Sequence, residues 1–151
     1  MKFLLKKYLS EEDIRNIAAK IAEVEGKTSG ELRVSIRHRR QRSERRLSLH
    51  ELALKEFTRL GMHKIKDRTG VLILLLISER KFHIIGDEGI HSRVEEGTWE
   101  RIAAEMTLHF KDRNFGKGIC AAVDAVGREL KRHFPRRPDD RNELPNTIIE
   151  R

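Results

Sequence analysis

Two groups of charged residues in this chain have the types and spacing to do chemistry. The first is acidic: Glu31, Asp67, Asp87 and Glu88, with Gly30, Gly70, Gly86 and Gly89 close by in sequence. Carboxylates are hard oxygen donors, and a cluster of them suits Ca²⁺ or Mg²⁺. Glycines beside them let backbone carbonyls come close. Arg33 and Arg68 flank the same acids and would either contact a phosphate or form ordinary ion pairs. The second group is basic: Arg37, Arg39, Arg40, Arg42, Arg45 and Arg46, together with His38, in a run where Glu44 is the single acid. A run of this kind docks phosphates or anionic lipid heads, or is a solvated loop. No aromatic residue is interleaved for base stacking, which counts against single-stranded nucleic acid as the partner.

Other chemistries find little support. The seven histidines are scattered, and none pairs across a helical turn with a glutamate between, as a zinc protease requires. Ser29 has no base beside it in sequence, and glycine-rich phosphate loops are absent. The single cysteine, Cys120, excludes an intrachain disulfide or a zinc cluster and reads as a packed thiol among Ala121, Ala122 and Val123. A reducing, cytoplasmic setting is the expectation. Phe3-Leu4-Leu5 is too short for an export signal, and the apolar run Val71–Ile77 is about a third of a membrane span. The net charge of +8 favours anionic partners.

The positioning elements follow from periodicity and caps. Ser10 before Glu11, Glu12 and Asp13 starts a helix whose stripe is Ile14, Ile17, Ala18, Ile21 and Val24, stopped by Gly26. Leu32, Val34 and Ile36 alternate with Arg33, Ser35 and Arg37, which predicts a strand with one wet face near a sheet edge. Ser48 and Glu51 form a capping box for a second helix, carrying Leu49, Leu52, Ala53, Phe57 and Leu60. The run Val71–Ile77 reads as a central strand covered on both faces, and Lys81–Ile85 as its hairpin partner. Gly86, Gly89 and Gly97 punctuate an irregular stretch. Helices with Trp99, Ile102, Met106 and Phe110, and then Phe115, Ile119, Val123, Val126 and Leu130, complete the order α-β-α-β-β-α-α.

This order predicts a three-layer α/β/α sandwich with a small mixed sheet: a βαβ unit plus an antiparallel hairpin strand. Residues 1–134 form the domain and 135–151 a polar tail with an apolar patch at Leu144, Ile148 and Ile149. The strand directions place the starts of strands one and two and the end of strand three at one rim. The four acids would gather there, and the basic run would occupy the opposite rim.

Three segments resemble the TPM domain family: Thr28-Ser29-Gly30-Glu31-Leu32-Arg33-Val34, Gly70-Val71-Leu72-Ile73-Leu74-Leu75, and Phe82-His83-Ile84-Ile85-Gly86-Asp87-Glu88-Gly89-Ile90. Phe115-Gly116-Lys117-Gly118-Ile119 fits the same pattern, as does Asn142-Glu143-Leu144-Pro145-Asn146 in the tail. The resemblance implies an α/β/α sandwich. It also implies one of two roles: an accessory to a membrane-associated complex, or a metal-dependent acid phosphatase, some members binding calcium. The family's motif after strand three runs glycine-aromatic-glycine-apolar-glutamate with an aspartate soon after. Here Gly86-Asp87-Glu88-Gly89-Ile90-His91 stands in its place. That departure ranks an interaction module first, a hydrolase second and an anionic-surface or nucleic-acid binder third.

Overall fold

The computed structural model describes residues 7–137 and 148–150. Five α-helices, α1 (Glu11–Glu25), α2 (Leu49–Arg59), α3 (Glu88–His91), α4 (Thr98–Lys111) and α5 (Phe115–His133), surround four strands, β1 (Glu31–Arg37), β2 (Gly70–Leu76), β3 (Lys81–Gly86) and β4 (Ile149–Glu150). The sheet order is β3-β2-β1-β4. β1 and β2 run parallel in the register Glu31 to Gly70, and β2 and β3 run antiparallel with Val71 opposite Gly86.

The helix starts form as their sequences dictate. The Ser10 hydroxyl accepts from the Asp13 amide while the Asp13 carboxylate accepts from the Ser10 amide, and Ser48 and Glu51 repeat the arrangement at α2. Gly61, at φ 74°, supplies the left-handed residue that follows α2. The irregular stretch after β3 contains the short helix α3, capped by Asp87. A four-residue helix has no apolar stripe for a periodicity argument to find.

β2 divides the core. Val71, Ile73 and Leu75 face α1, α4 and α5 across a large cluster that includes Ile17, Trp99, Phe110 and Val126. Leu72, Leu74 and Leu76 face α2 through Leu52 and Phe57, and the turn after it through Met62. The three-layer α/β/α arrangement with a mixed sheet is therefore the architecture, and the central strand sits where its uniform apolarity requires.

β1 corrects one expectation. It was expected to have a wet face near an edge, but all seven of its residues are buried and it lies between β2 and β4. The polar face is covered by acids from three other segments: Glu25 at the end of α1, Glu56 on α2, and Glu44 in the loop before α2. β4, from the segment read as a polar tail, pairs with β1 at Ser35 and Ile36, and Ile148 packs on the larger core cluster. Leu144 and the motif at 142–146 lie outside the described residues.

Candidate functional site

The topology does bring the acidic segments to one rim. Glu31 opens β1, Asp67 lies in the turn before β2, Asp87 follows β3 and Glu88 opens α3. Their side chains take four separate paths. Glu31 is 1% exposed and sits in a buried triad. There the Arg33 guanidinium bonds Glu31 at 3.1 Å and Glu25 at 2.8 Å, and Glu25 also accepts from the Leu32 amide. Burial, then the neighbouring Glu31 carboxylate, push Glu25 up to about 7 against those hydrogen bonds. Two buried carboxylates lie against the Arg33 guanidinium, and Glu25 holds its proton more tightly than usual.

Asp87 caps α3 by accepting from the Glu88 amide at 2.7 Å, and Arg68 clasps both of its oxygens at 2.8–3.1 Å. The Glu88 side chain is 81% exposed, 3.9 Å from the same guanidinium. Asp67 faces Arg137 at 3.8 Å across a cleft of about 440 Å³, which is also bordered by Ser29, Arg93, His133 and Phe134. Arg93 lies over the Phe134 ring at 4.8 Å, and His133 lies 3.6 Å from Glu129.

A Ca²⁺ or Mg²⁺ site needs several converging oxygens without competing cations. Here Arg33 and Arg68 occupy the inner carboxylates, and among the described residues no three His, Cys, Asp or Glu side chains are placed to hold a metal ion. As arranged, the four acids do not form the donor set that such an ion requires. Arg33 is sealed inside the triad rather than offered to a phosphate, whereas Arg68 is more than half exposed.

Gly89 fixes this rim sterically. A Cβ there would lie 2.0 Å from the Asp67 carbonyl oxygen and 2.6 Å from that of Arg68. Both of those residues are held in left-handed backbone, at φ 61° and 56°. Gly89→Ala is expected to destabilise the domain by about 1–3 kcal/mol through overpacking, despite a gain in helix propensity of about 1 kcal/mol. Urea unfolding of the two proteins measures the difference.

The opposite rim holds the basic run, folded as a closed cap. Arg37 ends β1 and is buried, with both of its terminal nitrogens on Glu44. Glu44, 1% exposed, also accepts from the Gln41 amide at 2.8 Å and pairs with Lys55 at 3.2 Å. Burial alone would raise the Glu44 carboxyl, but Arg37, the Gln41 amide and Lys55 together hold it at about 2. Arg40 binds Glu79 and donates to the carbonyls of Glu44 and Leu47. Two of the six candidate docking arginines, Arg37 and Arg40, therefore build the cap. Arg39, Arg42, Arg45 and Arg46 are exposed, and among the described residues none of these four enters an ion pair.

Sequence reasoning missed Glu25, Glu44 and Glu56. Each reads locally as a helix-surface or loop acid, and its partner on β1 is reached only through the fold. It also missed the proximity of His50 on α2 and His83 on β3, whose ring nitrogens lie 3.0 Å apart. Burial lowers the His83 pKa, and His50 lowers it further.

Comparison with known proteins agrees with this architecture. The family model of the TPM domain matches residues 5–129. The chain is similar to the BA42 protein of the psychrophilic bacterium Bizionia argentinensis, with 32% identity, 95% of each chain covered and a TM-score of 0.83. It shares its fold with the N-terminal domain of a P. gingivalis protein at 20% identity, TM-score 0.69, covering 86% of this chain and 83% of that one. The same holds for the N-terminal domain of cg2496 from Corynebacterium glutamicum at 15% identity, TM-score 0.60, covering 81% and 74%. No curated protein matches the sequence. With the family model spanning most of its length and a relative at 32% identity covered over 95% of each chain, the chain belongs to the TPM domain family.

Proposed function

We propose that this TPM domain is an interaction module that docks through its basic cap onto the anionic surface of a membrane-associated complex. The observation that carries the reading is the division of labour within the cap. Arg37 and Arg40 hold its shape, and among the described residues Arg39, Arg42, Arg45 and Arg46 meet no acid. Exposed guanidiniums carried on a backbone that Arg37, Arg40 and Glu44 hold in shape form a positive field that an anionic face neutralises. Among the described residues no helix is long and apolar enough to cross a membrane.

The experiment is a salt titration of binding to phosphatidylcholine vesicles containing phosphatidylserine, on the parent and on a variant with Arg39, Arg42, Arg45 and Arg46 replaced by serine. The parent should bind at low salt and release steeply as salt rises. The variant should lose at least tenfold in affinity, at about 1 kcal/mol per basic residue near the surface. Its stability should be unchanged, because exposed charges contribute little to folding. Equal, salt-insensitive affinities would remove the cap as a docking surface. Robust turnover of p-nitrophenyl phosphate that Asp87→Asn abolishes, with folding intact, would put hydrolysis at the acidic rim ahead of docking.

A further inference from the structure

A second cationic feature lies outside the cap and outside the acidic rim. Lys7, Tyr8, Arg80, Arg113 and Phe115 line a cleft of about 250 Å³. They come from three separate parts of the chain: the segment before α1, the turn between β2 and β3, and the junction of α4 with α5. The turn between β2 and β3 places the cleft at the carboxyl end of β2, away from Asp67 and Asp87.

Three properties of the cleft point to a ligand. First, among the described residues its charged lining is entirely positive. Among the described residues the Arg80 and Arg113 side chains make no hydrogen bond or ion pair, and the Lys7 ammonium only approaches the Tyr8 ring, at 5.9 Å. All three cations are exposed side chains bordering one cleft, and an anion bound there would be attracted by each of them. Second, both arginines stand in left-handed backbone, Arg80 at φ 51° and Arg113 at φ 60°. Glycine or asparagine adopts that conformation at less cost, so each arginine stands at a position of backbone strain. Third, Phe115 is buried and meets Tyr8 edge to face at 5.6 Å, which gives the cations a fixed apolar wall.

We propose that this cleft binds a phosphomonoester group. Two guanidiniums and an ammonium match a dianion better than a single carboxylate, and guanidinium planes suit the paired oxygens of a phosphate. The volume lies just below the roughly 300–1,000 Å³ of pockets for drug-sized ligands, so the cleft has room for a phosphate together with a small group attached to it. The site does not rest on the docking role of the cap, because it uses none of the four exposed cap arginines.

The test is a ¹H–¹⁵N titration of the full chain with inorganic phosphate, against sodium chloride at matched ionic strength. Saturable shifts centred on the amides of Tyr8, Arg80, Arg113 and Phe115 are expected. The variant carrying Arg80→Asn and Arg113→Asn keeps residues that tolerate left-handed backbone, and it should bind phosphate at least tenfold more weakly with its remaining spectrum preserved. Lys7→Gln, in a segment outside the helices and strands, provides a second variant with the same expected direction. A parallel arm uses phosphatidylcholine vesicles with and without phosphatidic acid. Loss in the double variant of free-phosphate binding indicates a soluble phosphomonoester, and loss only of vesicle binding indicates a lipid headgroup. Shifts no different from those in chloride, together with vesicle binding that the double variant leaves intact, would overturn the proposal. Vesicle binding removed by the cap variant but retained by the double asparagine variant would support the docking reading alone.

Discussion

Arg33→Leu is expected to destabilise the domain by roughly 3–5 kcal/mol, measured by urea unfolding at pH 7.5. The guanidinium is 1% exposed and is the cation between Glu25 and Glu31, both buried. A leucine would restore apolar volume but leave two carboxylates in the interior without that charge, and breaking a buried ion pair from one side is far costlier than replacing all its members. A triple replacement of Glu25, Arg33 and Glu31 by apolar residues should therefore recover much of the loss. If Arg33→Leu costs less than about 1 kcal/mol, the triad is not the electrostatic centre described above.

The same triad gives a pH signature. The folded pKa of Glu25, about 7, lies above its unfolded value near 4.5. The proton is thus held more tightly in the folded state. The stability that this contributes is complete below pH 4.5, and it is lost as pH rises through 7. Across that window the loss is about 3 kcal/mol at most. Glu25→Gln keeps an acceptor for the Leu32 amide and removes the titration. The difference in unfolding free energy between parent and variant should change between pH 5 and pH 8 in the direction that favours the variant at high pH. A constant difference would mean that Glu25 does not titrate in this range.

The second large effect is expected at the cap. Glu44→Ala should cost about 3–5 kcal/mol, because Arg37 is buried at the end of β1 and would lose both of its hydrogen bonds to that carboxylate. The sign of the pH dependence is opposite to that of Glu25. Glu44 is depressed to about 2, so its contribution is present above pH 4.5 and disappears as pH falls toward 2. The gap between parent and Glu44→Ala should narrow across that range in urea unfolding. Trypsin provides an independent readout. Cleavage after Arg39, Arg42, Arg45 and Arg46 should accelerate in the variant, since the loop loses the side chain that holds it closed. A variant whose loop resists trypsin as the parent does would show that Arg40 and Glu79 suffice to hold the cap.

These expectations concern residues whose roles differ in how far the chain alone reveals them. The helix starts at Ser10 and Ser48 are local: each hydroxyl serves an amide three residues away, so neighbours decide the outcome. The central position of Val71–Leu76 is nearly as local, because a strand with no polar residue has no face to give to water. Strand directions follow from the order of elements, and they placed Glu31, Asp67, Asp87 and Glu88 at one rim and the arginine run at the other.

Tertiary structure decided what covers the polar alternation of β1. Period two says that Arg33, Ser35 and Arg37 share a face, but the pattern is the same whether water or carboxylates lie above it. Glu25, Glu56 and Glu44 arrive from α1, α2 and the cap, and each turns an expected solvent contact into a buried pair. The same limit applies to the two rims. Whether a carboxylate meets a cation from solution or a guanidinium from the next turn depends on side-chain paths a few ångströms long, and Arg68 settles it for Asp87. Lys7, Arg80 and Arg113 share a cleft for a similar reason: Tyr8 packs on Phe115, and Phe110 joins Phe115 to Phe82 on β3, and no spacing along the chain records that meeting. The sequence by itself determined the elements, their order and their apolar faces, because those rest on interactions within a few residues. The charge pairing was decided in three dimensions, because Coulomb interactions act between whichever groups the fold brings within a few ångströms.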